Sequence, residues 1–261
     1  MRLTSYAISA TGLTRPENQD NLYINGVFRE DLSDNSPFRY TDGAGKHGFY
    51  AVADGMGGEA YGALAALTAV QAVGGVNLTG GHQRMVDYLI ERNAIICNMI
   101  MMNDGARIGS TFVGLNIIGD CVELTNIGDS RAYLYRDRKM SILSRDHTPT
   151  RKMVELGVIS EEDARRHPDR HRLTQHLGVF PAEMPIEPYT ASMELKGGDL
   201  FLLCSDGLTD MLDDAEIRST LESSATTENK AEMLFGGAIK AGGKDNITII
   251  LVQVRRIGLR R

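Results

Sequence analysis

The chain has 261 residues, 42% hydrophobic and 24% charged, which suits one domain with a substantial core. A net charge of −6 argues against general binding to nucleic-acid phosphates, and no window approaches the roughly 18 consecutive apolar residues of a membrane span. Cys97, Cys121 and Cys204 lie far apart in apolar contexts and read as reduced core residues; with no signal-peptide pattern at the start, they point to the cytoplasm.

An alternating apolar run at residues 3–10 predicts the first strand. "RPENQDN" follows and places Asp20 just before a second run at 22–25. Residues 29–48 are polar and read as a long surface loop. A third run, 49–53, ends in Asp54 and is followed by Gly55, Met56, Gly57 and Gly58. Taken alone, an Asp-Gly pair is a turn, since both residues tolerate the backbone that turns need. Apolar spacing predicts helices over 60–73 and 83–102, and the Met-rich "CNMIMMND" that closes the second reads as core packing.

Strands follow at 111–118 and 121–126, joined by Gly119 and Asp120 in the pattern of a two-residue hairpin, and then at 132–136. The segment 144–185 differs in composition, with four of the six histidines and a basic cluster, "RRHPDRHRLTQH", at 165–176. Two short helices near 150–156 and 160–166 make it a small subdomain on the surface. Beyond it, Gly197 and Gly198 mark a turn before a strand at 200–204, Asp206 follows, and helices are predicted over 213–221 and 229–240. Asp245 precedes the last strand, 247–254, and the basic "RRIGLRR" reads as a solvated tail. Short antiparallel links with helices in long blocks predict an α+β sandwich in a single domain spanning 1–261.

Asp20, Asp54, Asp206 and Asp245 all stand at strand ends. In antiparallel neighbours the end of one strand lies beside the start of the next, so the four can gather at one edge. Gathered carboxylates repel one another unless cations lie between them, and an all-oxygen set without a His or Cys cluster selects Mg²⁺ or Mn²⁺ over Zn²⁺. Gly55 and Gly207 permit close backbone approach there. A two-metal site supplies a hydroxide nucleophile and steadies an in-line displacement, which suits phosphate monoesters. Arg15, five residues before Asp20, is either a bidentate phosphate ligand or half of a surface salt bridge. No Gly-rich Lys-Ser/Thr loop suggests a nucleotide hydrolase.

These stretches, with "VADGMGGEAYG", "IGSTFVGLNI", "NIGDSRAYLYRD", "LSRDHTPTRKMVELGVISEEDARRHP", "GDLFLLCSDGLTDML" and "GGKDNITIILVQV", run almost the whole length of the chain. The chain resembles the bacterial metal-dependent protein serine/threonine phosphatases of the PPM, or PP2C-like, class. The resemblance implies an α-β-β-α sandwich of two antiparallel sheets flanked by helices, with a flap at 144–185. It implies that Asp54 bridges two Mn²⁺ or Mg²⁺ ions with the Gly55 carbonyl as a further ligand, and that Asp206 and Asp245 complete one shell. Asp20 would act through metal-bound waters and Arg15 would bind the substrate phosphate. A third, weaker metal site would take Asp206 and Asp210, with Asp104 as a further ligand.

The implied substrates are phosphoserine and phosphothreonine proteins, the implied partner a serine/threonine kinase that the enzyme opposes, and the expected state a monomer. The basic cluster, Arg165, Arg166 and Arg170 included, is expected to contact phosphoproteins. Two departures stand out. Where the family commonly has Asn-Glu-Asp this chain has Asn18, Gln19 and Asp20, and Met56 stands where some eukaryotic members have a proton-donating His. Gln19 supports a second reading, a non-catalytic metal-dependent regulator that holds phosphoproteins; a small-molecule phosphatase is a third.

Overall fold

A computed structural model describes residues 1–43, 45–57, 60–75 and 81–255; Gly58 and the basic tail beyond Arg255 lie outside them. The strands in chain order begin with β1 (Arg2–Ala10), β2 (Asp20–Ile24), β3 (Val27–Phe28), β4 (Phe38–Gly43) and β5 (Gly48–Met56). Then come β6 (Gly109–Ser110), β7 (Phe112–Ile118), β8 (Cys121–Ile127), β9 (Arg131–Arg136) and β10 (Lys139–Ile142). The last three are β11 (Tyr189–Glu194), β12 (Leu200–Cys204) and β13 (Ile247–Arg255). Helices α1 (Ala60–Val70) and α2 (His82–Met102) follow β5, and α3 (Pro149–Glu155) and α4 (Glu161–Arg166) lie in the flap. Helices α5 (Asp206–Thr209), α6 (Asp214–Glu222) and α7 (Thr227–Lys240) separate β12 from β13.

The strands form two antiparallel sheets, as predicted. One runs β10-β9-β12-β13-β1-β4; the other runs β11-β8-β7-β5-β2-β3, with β6 paired to the end of β5. Successive side chains of a strand point to opposite faces, and here both faces are covered. In β13, Ile250, Val252 and Val254 meet the other sheet, while Ile247, Ile249 and Leu251 meet helices α6 and α7. In β5, Tyr50 and Val52 face the inter-sheet core, while Phe49, Ala51 and Ala53 pack under α1 and α2. The small residues Ala65, Ala66 and Ala69 let α1 lie close against that sheet. Among the described residues no helix is long and apolar enough to cross a membrane.

Three expectations are corrected. Cys97 and Cys204 are buried, but Cys121, at the start of β8 beside the hairpin turn, is exposed rather than in the core. Residues 29–48 are not only a loop, because β4 lies within them and pairs with β1 from Ser9↔Phe38 to Thr4↔Gly43. The Gly197–Gly198 turn does not join sheet neighbours; it carries the chain from β11 in one sheet to β12 in the other. The hairpin through Gly119 and Asp120 is observed, with Ile118 paired to Cys121. The helix predicted over 60–73 stops at Val70, and a short 3₁₀ turn covers Val73–Gly75.

The flap helices are capped as their sequences direct. Thr148 accepts a hydrogen bond from the Arg151 amide at the start of α3, and Ser160 and Asp163 form a reciprocal capping box on α4. Both ends of the flap are pinned to the core. Asp146 takes a forked ion pair from Arg131, and Leu177 exchanges backbone hydrogen bonds with Ser110.

Candidate active site

The antiparallel register of β2 and β5 sets Asp20 directly opposite Asp54. In the other sheet β12 pairs with β13, so that Asp206, just past one, and Asp245, just before the other, come together. The two sheet edges are tied to each other. The Gly55 amide donates to the Gln19 carbonyl at 3.2 Å, and the Gln19 amide donates to Asn246 Oδ1 at 2.8 Å. Asn246 in turn donates to the carbonyls of Thr11 and Glu17. A cleft of about 890 Å³ opens here, lined by Asp54, Asp206 and Asp245 with Arg15 at its rim.

Asp20 is fully buried beneath the cleft. Its Oδ2 accepts a hydrogen bond from Ser205 at 2.7 Å, while Oδ1 has no partner among the described residues. Burial pushes its pKa up to about 7; hydrogen bonds from Ser205 and Thr248 oppose the rise, and Asp206 and Asp245 add to it. Asp54 is held well above the usual carboxylate range by burial and then by Asp20, Asp206 and Asp129. Asp210 is raised to about 6 by burial and Asp206. The predicted gathering of carboxylates is present, and so is the conflict it creates.

The residues fit divalent ions. All the gathered carboxyl donors are oxygens, and the orphaned Asp20 Oδ1 is a buried acceptor in want of a proton or a cation-held water. At Gly55 a Cβ would fall 2.0 Å from the Gly62 carbonyl oxygen, and at Gly207 2.0 Å from that of Asn246. Both turns after the acids therefore require glycine for closeness alone.

Asp104 is not brought to this cluster. It stands in the turn after α2 with a left-handed backbone (φ +52°), and it is not among the residues lining the cleft. Asp129 lines the cleft instead, and burial, Asp206 and Asp146 hold its pKa well above the usual range, with Arg131 opposing. It was legible by the rule that found the others, since "NIGDSR" puts a carboxylate just past strand β8. Thr111 and Ser130 are further residues missed from sequence. The Thr111 hydroxyl accepts from the Asp54 amide at 3.0 Å and shares a hydrogen bond with Ser130 at 2.7 Å, which fixes the backbone of Asp54.

Arg15 forms a salt bridge at the rim of the cleft. Its Nη2 lies 2.7 Å from Asp245 Oδ2, and the half-exposed guanidinium borders the cleft. Gln19 uses its amide where a carboxylate cannot serve: Nε2 donates to the Gly57 carbonyl at 3.1 Å, bracing the turn after Asp54. Met56 lines the cleft and offers no proton. Of the basic cluster, Arg165 pairs with Asp214 and Arg166 with Glu162, whereas Arg170 and His171 line the cleft.

The protein phosphatase 2C family profile matches residues 23–234. The serine/threonine phosphatase stp of Listeria monocytogenes is 31% identical over 253 residues, covering 93% of this chain and 92% of its own. Protein phosphatase PhpP of Streptococcus pneumoniae is 31% identical over 254 residues, covering 95% of this chain and 96% of its own. The crystal structure of the Mycobacterium tuberculosis serine/threonine phosphatase PstP superposes with a TM-score of 0.82 at 29% identity, over 98% of this chain and 100% of that one. A PstP catalytic domain solved with two manganese ions gives 0.79 at 28%, over 97% and 100%. Fold, carboxylate cluster and sequence agree, and the chain belongs to the protein phosphatase 2C family of metal-dependent serine/threonine phosphatases.

Proposed function

We propose that the cleft hydrolyses phosphoserine and phosphothreonine monoesters in proteins at a binuclear Mn²⁺ or Mg²⁺ site. The observation that carries this reading is the convergence of Asp54, Asp206 and Asp245 on one cleft, above buried Asp20 and beside Arg15. When bound, such ions lower the pKa of coordinated water and neutralise phosphoryl charge. Asp54, with the Gly55 carbonyl as a further ligand, would hold the ions, and Asp206 and Asp245 would complete the shell of one of them. Asp20, steadied by Ser205, would accept hydrogen bonds from water held by the ions.

Arg15 is the phosphate ligand. Its exposed guanidinium has only to turn from Asp245 toward the cleft to present a fork to two phosphoryl oxygens. Among the described residues no cysteine lines the cleft, which supports direct hydrolysis without a thiophosphate enzyme. Asp206 and Asp210 offer a third, weaker metal position. We read the chain as a cytoplasmic monomer that opposes the serine/threonine kinase whose products it consumes.

The test is phosphate release from a phosphothreonine peptide, titrated with Mn²⁺ and compared with Asp206→Asn and with sugar phosphates as substrates. Mn²⁺-dependent release that falls at least a hundredfold in the variant, with sugar phosphates poor substrates, is the expected result. A folded protein that releases nothing at saturating Mn²⁺ is the regulator instead.

A further inference from the structure

Two histidines line the cleft, His171 and His176. His171 has both ring nitrogens turned toward carboxylates, Nδ1 3.6 Å from Asp206 Oδ2 and Nε2 3.4 Å from Asp210 Oδ2. His176 is placed differently. Its Nδ1 lies 2.8 Å from the Leu177 carbonyl oxygen, which can only accept, so Nδ1 carries a hydrogen and donates it. Among the described residues no hydrogen bond or ion pair reaches its Nε2.

The backbone register brings this ring to the reacting side of the cleft. Ser110 and Leu177 pair in an antiparallel bridge, which sets His176 beside Thr111, and the Thr111 amide donates to the Asp54 carbonyl at 2.9 Å. Alternate residues of a strand share a face, so Met56 stands on the same face of β5 as Asp54. Gly109, paired with Met56, keeps that face open: a Cβ there would fall 2.9 Å from His176 Nδ1 and 3.2 Å from Met56 Cγ. The imidazole occupies the room that the glycine leaves, next to a thioether with no proton to give.

We propose that His176 is the general acid of the reaction, giving its Nε2 proton to the seryl or threonyl oxygen as that oxygen leaves phosphorus. The inference rests on reading the cleft as a phosphoprotein phosphatase and names the group that protonates the leaving alcohol. Oxygen from water bonds to phosphorus, the bond from phosphorus to the ester oxygen breaks, and its electron pair stays on the alkoxide, which takes the imidazolium proton. The attacking water keeps one hydrogen on the phosphate and sheds the other to solvent, and solvent returns a proton to the ring. An alkoxide leaves badly, and donation of this kind contributes roughly 10²–10⁴-fold. Imidazole makes such a transfer near neutral pH, whereas arginine keeps its proton and lysine releases one only far above neutral. Arg15, Asp206 and Asp245 belong to the cleft wall built on β12 and β13, and His176 and Met56 to the wall built on β5. A phosphoryl group held by Arg15 at the first wall turns its ester oxygen to the second.

The experiment compares kcat and KM of wild type, His176→Asn and His176→Gln on a phosphothreonine peptide and on p-nitrophenyl phosphate, whose phenolate leaves without a proton. The asparagine amide takes the place of Nδ1 and keeps the bond to the Leu177 carbonyl. The glutamine amide reaches the place of Nε2, where it can hydrogen-bond but cannot give up a proton. Melting in EDTA and Mn²⁺ affinity by calorimetry are expected to match wild type in both. Each variant is expected to lose about a hundredfold in kcat on the peptide and less than about threefold on the aryl ester, with KM little changed. Losses that are equal on the two esters, or absent, or a glutamine variant with the wild-type rate on the peptide, overturn this inference and leave the phosphatase reading intact. A wild type that releases no phosphate from the peptide at saturating Mn²⁺ overturns the phosphatase reading and this inference with it.

Discussion

Asp20 has a folded-state pKa of about 7 against 3.8 for an ordinary aspartate, so at intermediate pH the metal-free native state holds a proton that the unfolded chain releases. Its contribution is therefore full below about pH 4 and lost as pH rises through about 7. A tenfold difference in proton affinity between the two states corresponds to about 1.4 kcal/mol, so melting in EDTA is expected to fall by several degrees from pH 5 to pH 8. Saturating Mn²⁺ reverses the trend, and Asp20→Asn flattens it; differential scanning fluorimetry across pH reads all three. Gln19 makes a second case. Replacing it with Met removes the donor to the Gly57 carbonyl while keeping the side chain's length, and Mn²⁺ affinity is expected to drop about tenfold by calorimetry. Asp20, Asp54, Asp206 and Asp245 were legible because each abuts a long apolar run that fixes where it ends. Asp104 misled because nearness in sequence to "IGST" is not nearness in space: the turn after α2 leaves it outside the cleft. His171 was illegible because only the path of the flap decides which of its histidines reaches the carboxylates.

The same contrast holds for whole elements. Strands within the sheets, β1, β5, β7, β12 and β13, are buried on both faces and announce themselves as apolar runs. Four strands without such a run, β3, β4, β10 and β11, are the four sheet edges. An edge strand keeps polar residues on its open side, and β4, "FRYTDG", alternates half-buried with exposed positions and looks like a loop. In the flap, composition alone made every arginine a candidate for substrate contact. The structure separates them, since Arg165 and Arg166 already have acidic partners and Arg170 borders the cleft. Arg170→Glu is expected to raise KM for a phosphoprotein several-fold with melting temperature unchanged, whereas Arg166→Glu leaves both as they are. Steady-state kinetics on one phosphoprotein substrate, paired with a melting curve, checks the distinction.

At the scale of the molecule, stability resides in the layer between the sheets. Phe201, fully buried there, packs among Leu203, Val252 and Val113 in the inter-sheet core, and Phe201→Ala is expected to cost about 3–5 kcal/mol in urea unfolding. Strand β13 joins β12 to β1, so before it is made the first sheet consists of two pieces, β10-β9-β12 and β1-β4. Nine register pairs between β1 and β13 link the first strand of the chain to the last one described. Contacts so distant in sequence form slowly. During synthesis the ribosome therefore delivers the closing strand and Asp245 together, and a chain halted before residue 245 lacks both a joined sheet and a complete set of carboxylates. Such a chain is expected to be cut readily by protease and to release no phosphate, which limited proteolysis and a phosphate-release assay on a chain truncated before residue 245 would check.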